Sequence, residues 1–164
     1  MKIASVPLAT SALLAVFLTG CGADKKPAGG SAASGAPAAG TAKHAAHGEG
    51  PHEGAVADWG GGTYHVEFIV DHDKQEATVY VLGGDEKTAA PIKTNAGKLI
   101  LSIQQPAFQV DLIPSSQSSD PAGTSSRFVG KHEKLGIVQE FAGTIAGDVE
   151  GTPYVGEFKE EPHK

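Results

Sequence analysis

The run from Thr63 to Leu82 decides the fold: Thr63-Tyr64-His65-Val66-Glu67-Phe68-Ile69-Val70, then Asp71-His72-Asp73-Lys74-Gln75, then Glu76-Ala77-Thr78-Val79-Tyr80-Val81-Leu82. Its first part alternates with period two. Tyr64, Val66, Phe68 and Val70 take one face, and His65, Glu67 and Ile69 take the other. The third part alternates likewise, with Ala77, Val79 and Val81 opposed to Thr78, Tyr80 and Leu82. The polar segment between them suits a turn, so the pair reads as a β-hairpin. Gly83, Gly84 and Asp85 end its second strand.

The same reading extends down the chain. Leu99 to Ile103 is a further apolar run. Phe108, Val110 and Leu112 alternate with Gln109, Asp111 and Ile113, bracketed by Pro106 and Pro114. Ser115 to Ser126 is a long polar loop, and Arg127-Phe128-Val129 resumes the sheet. Phe141 to Val149 and Thr152 to Phe158 face each other across Glu150-Gly151, where glycine tolerates positive φ. Val155 and Phe158 do not share parity, so the register of this last strand is open. One or two helical turns are expected around Lys131 to Leu135. The expected fold is all-β: an antiparallel β-sandwich or open barrel of seven or eight short strands.

Upstream, the composition changes twice. Residues 1–20 carry one charge, Lys2, ahead of an uncharged apolar run from Ile3 to Leu18. That run is too short and wrongly flanked for a membrane span and reads as an export signal. Residues 22–50 are built from Ala, Gly, Ser, Pro and Lys. They hold too little apolar surface to offset chain entropy, and read as a flexible tether with a reach of roughly 30 Å. The expected division is a signal peptide at 1–20, Cys21 with the tether at 21–50, one β-domain at 51–158 and a polar tail at 159–164.

Leu18-Thr19-Gly20-Cys21 resembles the lipobox of bacterial lipoproteins. The resemblance implies that the Cys21 thiol receives a diacylglyceryl group, that the peptide before it is cut, and that the new amine is acylated, palmitate being one such chain. Each buried methylene is worth ~0.8 kcal/mol, and two or more chains hold a protein durably on a bilayer. The protein is then expected on a membrane surface outside the cytoplasm. Gly22, where an aspartate often signals inner-membrane retention, favours the periplasmic face of the outer membrane. Cys21 is the one cysteine, so no disulfide supports the domain.

The charge of the whole chain is −6, and losing Lys2 with the signal leaves −7. No basic stripe is available to meet phosphates, which excludes nucleic-acid binding, and no polybasic segment is available for anionic lipid. No nucleophile elbow, phosphate loop or dinucleotide fingerprint is present. The chain therefore reads as a non-enzyme, with a hydrolase of dispersed site as the remaining alternative.

The histidines are the chemically provocative set. His44, His47 and His52 lie in or beside the tether among Glu49 and Glu53, and His65 follows on a strand. Imidazole with carboxylate suits copper or zinc. The competing reading is a solvated leader and a strand-face histidine. Asp71-His72-Asp73 lacks the glycine and distant glutamate of a calcium loop and reads as a turn. His132 and Glu133 read as a solvated turn, and His163 as part of the tail. Trp59, the one tryptophan, is either a partner-binding anchor or core packing beside its glycines.

Gly50-Pro51-His52-Glu53-Gly54, Trp59-Gly60-Gly61-Gly62 and Tyr64-His65-Val66-Glu67-Phe68 together resemble a small periplasmic module. That module opens with glycine-proline-histidine-glycine-glycine and continues into a tyrosine or phenylalanine strand with an alternating glutamate. It occurs as stand-alone bacterial lipoproteins and near the start of periplasmic adaptors of heavy-metal efflux pumps. The likeness covers roughly Gly50 to Pro91. The chain departs from it at Glu53, where glycine is usual, and lacks the helical hairpin and lipoyl-like segments of an adaptor. Two functions follow as expectations: a lipid-anchored envelope module that binds a transition metal, or one that docks on an envelope protein through a sheet edge or the Ser115–Ser126 loop.

Overall fold

The computed structural model describes residues 48–160. Cys21, His44, His47 and His163, with the stretch expected to be a signal peptide and almost all of the expected tether, lie outside them. The decisive hairpin forms as read. β2 (Tyr64–Asp71) and β3 (Glu76–Gly83) pair antiparallel from Tyr64↔Gly83 to Asp71↔Glu76. Preceding them is β1 (Ala55–Trp59), which alternation alone does not reveal because it is five residues long and two are alanines. Gly60, Gly61 and Gly62 all take positive φ in the turn from β1 to β2. That left-handed backbone is open to glycine at no steric cost, and the Asp58 carboxylate accepts the Gly62 N–H at 2.9 Å.

The remaining strands are β4 (Leu99–Ile103), β5 (Phe108–Pro114), β6 (Arg127–Lys131), β7 (Ala142–Val149) and β8 (Thr152–Lys159). Every pairing among them is antiparallel, in the order β1-β2-β3-β6-β5-β4-β7-β8. The sheet rolls until β1 lies beside β8. The expected all-β architecture is thus met by a nearly closed barrel of eight strands rather than by two packed sheets. In place of helical turns near Lys131 there is a short 3₁₀ turn, Glu133–Gly136, in which His132 Nδ1 accepts the Lys134 N–H.

One alternating set from each strand fills the interior, including Val66, Phe68, Val79, Val81, Leu101 and Leu112, all essentially without solvent contact. The register of β8 resolves in favour of Phe158. Val149↔Thr152 to Ala142↔Lys159 turn Tyr154, Gly156 and Phe158 inward and leave Val155 63 % exposed. Glu150 and Gly151 both take positive φ, as a two-residue hairpin turn requires. The 115–126 loop is tied down by Asp120, whose carboxylate accepts the N–H groups of Gln117 and Ser126 and the Ser126 hydroxyl. Burial alone would raise that carboxyl, but these hydrogen bonds outweigh it and hold it below its ordinary range.

Trp59 joins the two ends of the sheet. It is fully buried, and its indole N–H donates to the Ile145 carbonyl on β7 at 3.1 Å. β8 approaches so closely that a Cβ on Gly156 would sit 2.6 Å from the Asp58 carbonyl oxygen and 2.8 Å from the Trp59 ring. Trp59 is therefore packing, and the partner-anchor reading is corrected: an indole with no exposed surface has nothing to offer a partner. Trp59→Ala should lower the unfolding free energy by about 3–5 kcal/mol, the usual range for a buried tryptophan. Urea denaturation followed by circular dichroism measures it; a loss under about 1 kcal/mol would contradict the closure role.

Candidate functional site

Gly50-Pro51-His52-Glu53-Gly54 folds back on itself. The Gly50 N–H donates to the Gly54 carbonyl at 2.9 Å, and the Glu53 N–H to the Gly50 carbonyl at 3.0 Å. The loop lies on the outer face of β2, and both glycines are required there. A Cβ on Gly50 would stand 2.4 Å from the Glu67 carboxyl carbon, and one on Gly54 would stand 2.4 Å from the Phe68 carbonyl oxygen. Glu53 takes φ +64°, a region that costs a side-chain-bearing residue roughly 1–2 kcal/mol. The position where this chain departs from the resembled module is thus one whose backbone favours glycine.

What the loop covers is Glu67. This carboxylate faces outward from the barrel yet has no solvent exposure. One oxygen accepts the N–H groups of His52 (2.7 Å) and Gly54 (2.9 Å), and the other meets His52 Nδ1 at 2.7 Å. With the carboxylate accepting, Nδ1 is the donor of this pair. The His52 ring is 41 % exposed and stacks on Tyr80 with centroids 3.8 Å apart and planes 7° from parallel. The strand register explains the trio, because Glu67 and Tyr80 are direct cross-strand partners.

His65 belongs to a separate arrangement. It is buried, its Nδ1 donates to the Gly83 carbonyl at 3.1 Å, and its Nε2 lies 3.3 Å from a Glu86 carboxylate oxygen. Both ring nitrogens therefore have partners. His52 and His65, paired in sequence reasoning as metal ligands, are held by different carboxylates. Among the described residues no three His, Cys, Asp or Glu side chains are placed to hold a metal ion. The described donors thus do not fit a copper or zinc centre: His65 has no nitrogen to spare, and His52 offers Nε2 alone. His44 and His47 lie outside the described residues.

The Asp71-His72-Asp73 turn is structural. Asp71 accepts the Lys74 N–H and pairs with its ammonium, and these contacts, the ammonium hydrogen bond first, hold the Asp71 carboxyl below its ordinary range. His72 Nδ1 donates to the Leu135 carbonyl at 2.7 Å. His132, read as solvated, stacks on Phe108 with centroids 4.4 Å apart.

Close to the loop opens a groove of about 390 Å³. Its apolar wall comes from Phe68, Ile69, Val70 and Val138, and the carboxylate-bearing residues Glu53, Glu140 and Glu160 line it. Val138 is 82 % exposed and its neighbour Ile137 45 %. Among the described residues no lysine or arginine lines this groove. Sequence reasoning missed both Glu67 as an anchor and the groove. The first left a signal, a glutamate alternating within an apolar strand downstream of two glycines. The second arises where segments distant in sequence meet. No family model, curated protein or solved structure matches this chain.

Two substitutions probe the loop. Glu67→Gln replaces an all-acceptor group facing three N–H donors with one that carries donors of its own, and should cost about 1–3 kcal/mol. Amide exchange at His52 and Gly54 should accelerate while the β4–β5 amides stay protected; unchanged exchange at both would contradict the anchor. Glu53→Gly should instead stabilise by about 0.5–1 kcal/mol, the left-handed penalty less the extra chain entropy of glycine. A lower denaturation midpoint would show that Glu53 bears no strain.

Proposed function

We propose that this chain is a non-enzymatic, lipid-anchored module of the bacterial envelope that docks on another envelope protein. The lipobox-like Leu18-Thr19-Gly20-Cys21 supports the anchor, and Gly22 supports the periplasmic face of the outer membrane. The tether composition supports a barrel that searches a volume around its anchor. The observation that carries the docking role is the groove, where a side chain as apolar as Val138 stands 82 % exposed beside Ile69 and Val70. Apolar surface kept in water beside a concave wall marks interaction sites.

The metal reading is the weaker one. It would rest on His52 Nε2, backed by Glu67 as ligating imidazoles usually are backed by a carboxylate, with His44 and His47 as the other donors. Calorimetric titration of the 22–164 chain distinguishes the two. Docking without metal predicts Cu²⁺ and Zn²⁺ binding no tighter than millimolar, whereas micromolar binding abolished by His52→Ala would restore the metal role.

The docking role has its own test in cells. A photo-crosslinking amino acid at position 138 should give a discrete protein adduct in the envelope fraction. The same group at position 113, an exposed isoleucine on β5, should not. Absence of an adduct at 138, or equal adducts at both positions, would overturn docking at the groove. Cys21→Ser should remove both the membrane association and the adduct.

A further inference from the structure

We infer that the groove takes an extended, basic peptide segment of the partner as an added β-strand beside β2. The inference deepens the docking role just proposed and rests on it. Three independent features of the groove converge on this occupant.

The first is an unaccompanied strand end. β1 begins at Ala55, opposite Phe68, so Ile69, Val70 and Asp71 run past the start of β1. β3 pairs with them on the other side, and among the described residues no strand pairs with them on this side. The direction of their backbone groups follows from the register. Val81 donates its N–H to Ser126 and accepts from Ala90, so it bonds away from β2. Antiparallel ladders alternate, so Tyr80 and its partner Glu67 bond to each other, and Phe68 turns its own groups toward β1. Val70, two residues further on, points its N–H and C=O the same way, into the space where β1 is missing. A strand end of this kind is a template for strand addition.

The second feature is the lining. Along an added strand, alternate side chains face the same way. One set would share the face of Ile69, and Val138 lines the same groove. Burying Val138, now 82 % exposed, favours small aliphatic or β-branched residues in the incoming segment. The three residues of β2 that overhang span about 10 Å, so the segment is short and the contact weak and reversible.

The third feature is charge. Among the described residues, Glu53, Glu140 and Glu160 line the groove and no lysine or arginine does. The Glu160 carboxylate accepts the Phe141 N–H at 2.6 Å, which holds it in place at the end of β8. The mature chain carries −7 overall, one unit beyond the −6 of the full chain because Lys2 is lost. An acidic segment entering here meets like charge, and a basic one meets complementary charge that also speeds its encounter. The occupant is therefore an extended segment alternating aliphatic residues with lysine or arginine.

Three peptides test this with the ¹⁵N-labelled 22–164 chain, which retains every described residue. They are acetyl-Val-Lys-Val-Lys-Val-amide, its glutamate counterpart acetyl-Val-Glu-Val-Glu-Val-amide, and the lysine peptide N-methylated at its central valine. The lysine peptide should shift the amides of Ile69 to Asp71 and of Val138 to Glu140 in a saturable way. The glutamate peptide should bind at least about tenfold more weakly, and the N-methylated one likewise, because it cannot donate to the ladder. Glu140→Lys, an exposed position, should weaken the lysine peptide by a similar factor while leaving the spectrum of the free barrel otherwise intact. Equal binding of lysine and glutamate peptides overturns the charge argument, and equal binding of the N-methylated peptide overturns strand addition. Shifts confined to other faces overturn both. If the adduct at position 138 forms in cells while all three peptides fail, docking stands and this occupant is wrong. If no adduct forms, docking itself fails.

Discussion

The seam between β1 and β8 is the constraint on which the other features depend. A rolled antiparallel sheet has two edges, and unpaired edges invite aberrant pairing. Here the edges meet because Trp59 reaches from β1 across to β7, where its indole N–H finds the Ile145 carbonyl. Gly156 makes room for it: any Cβ there would strike the Asp58 carbonyl and the indole. Gly147 does the same on β7, where a Cβ would lie 3.1 Å from the Trp59 ring and 2.4 Å from Leu99. The tryptophan supplies the apolar volume, and the two glycines supply the space.

Once β1 is fixed, the position of the chain before it follows. Gly54 leads directly into Ala55, and its N–H reaches Glu67. Glu67 thereby receives three N–H donors from a loop that otherwise has little apolar area to hold it down. Burying a carboxylate without such partners would be strongly unfavourable. The stacking of His52 on Tyr80 closes the arrangement from the solvent side. The loop is also the place where the lipid-anchored tether proposed above would join the barrel, so it would bear any pull between membrane and domain.

The start of β1 has a second consequence. Because the loop turns away at Gly54 toward the outer face of β2, it does not continue alongside Ile69 to Asp71. The same turn that shields Glu67 leaves the end of β2, among the described residues, without a strand partner on the β1 side and opens the groove toward Val138 and Glu140. The shielding of Glu67 and the proposed docking groove are two results of one backbone choice. That choice needs a left-handed residue at position 53, supplied here by a glutamate at φ +64° that also lines the groove.

Alternation in Tyr64–Val70 and Glu76–Leu82 was enough to place the hairpin, and the Glu150-Gly151 turn was enough to pair β7 with β8. Both depend on side-chain parity and turn chemistry, which are local. The missed strand β1 shows the limit: Ala55-Val56-Ala57-Asp58-Trp59 carries little alternation, and its ladder with β2 and contact with β8 make it a strand. Parity also set His65 and Glu67 on the face opposite Val66 and Phe68, but did not reveal their burial, because the segments covering them come from Gly50–Gly54 and Gly83–Glu86. The sequence by itself determined the strands other than β1, their turns and the candidate ligands. Only the tertiary structure decided between sandwich and barrel, separated His52 from His65, buried Trp59 and opened the groove. Each of these turns on long-range pairing, which a periodic pattern along one segment does not encode.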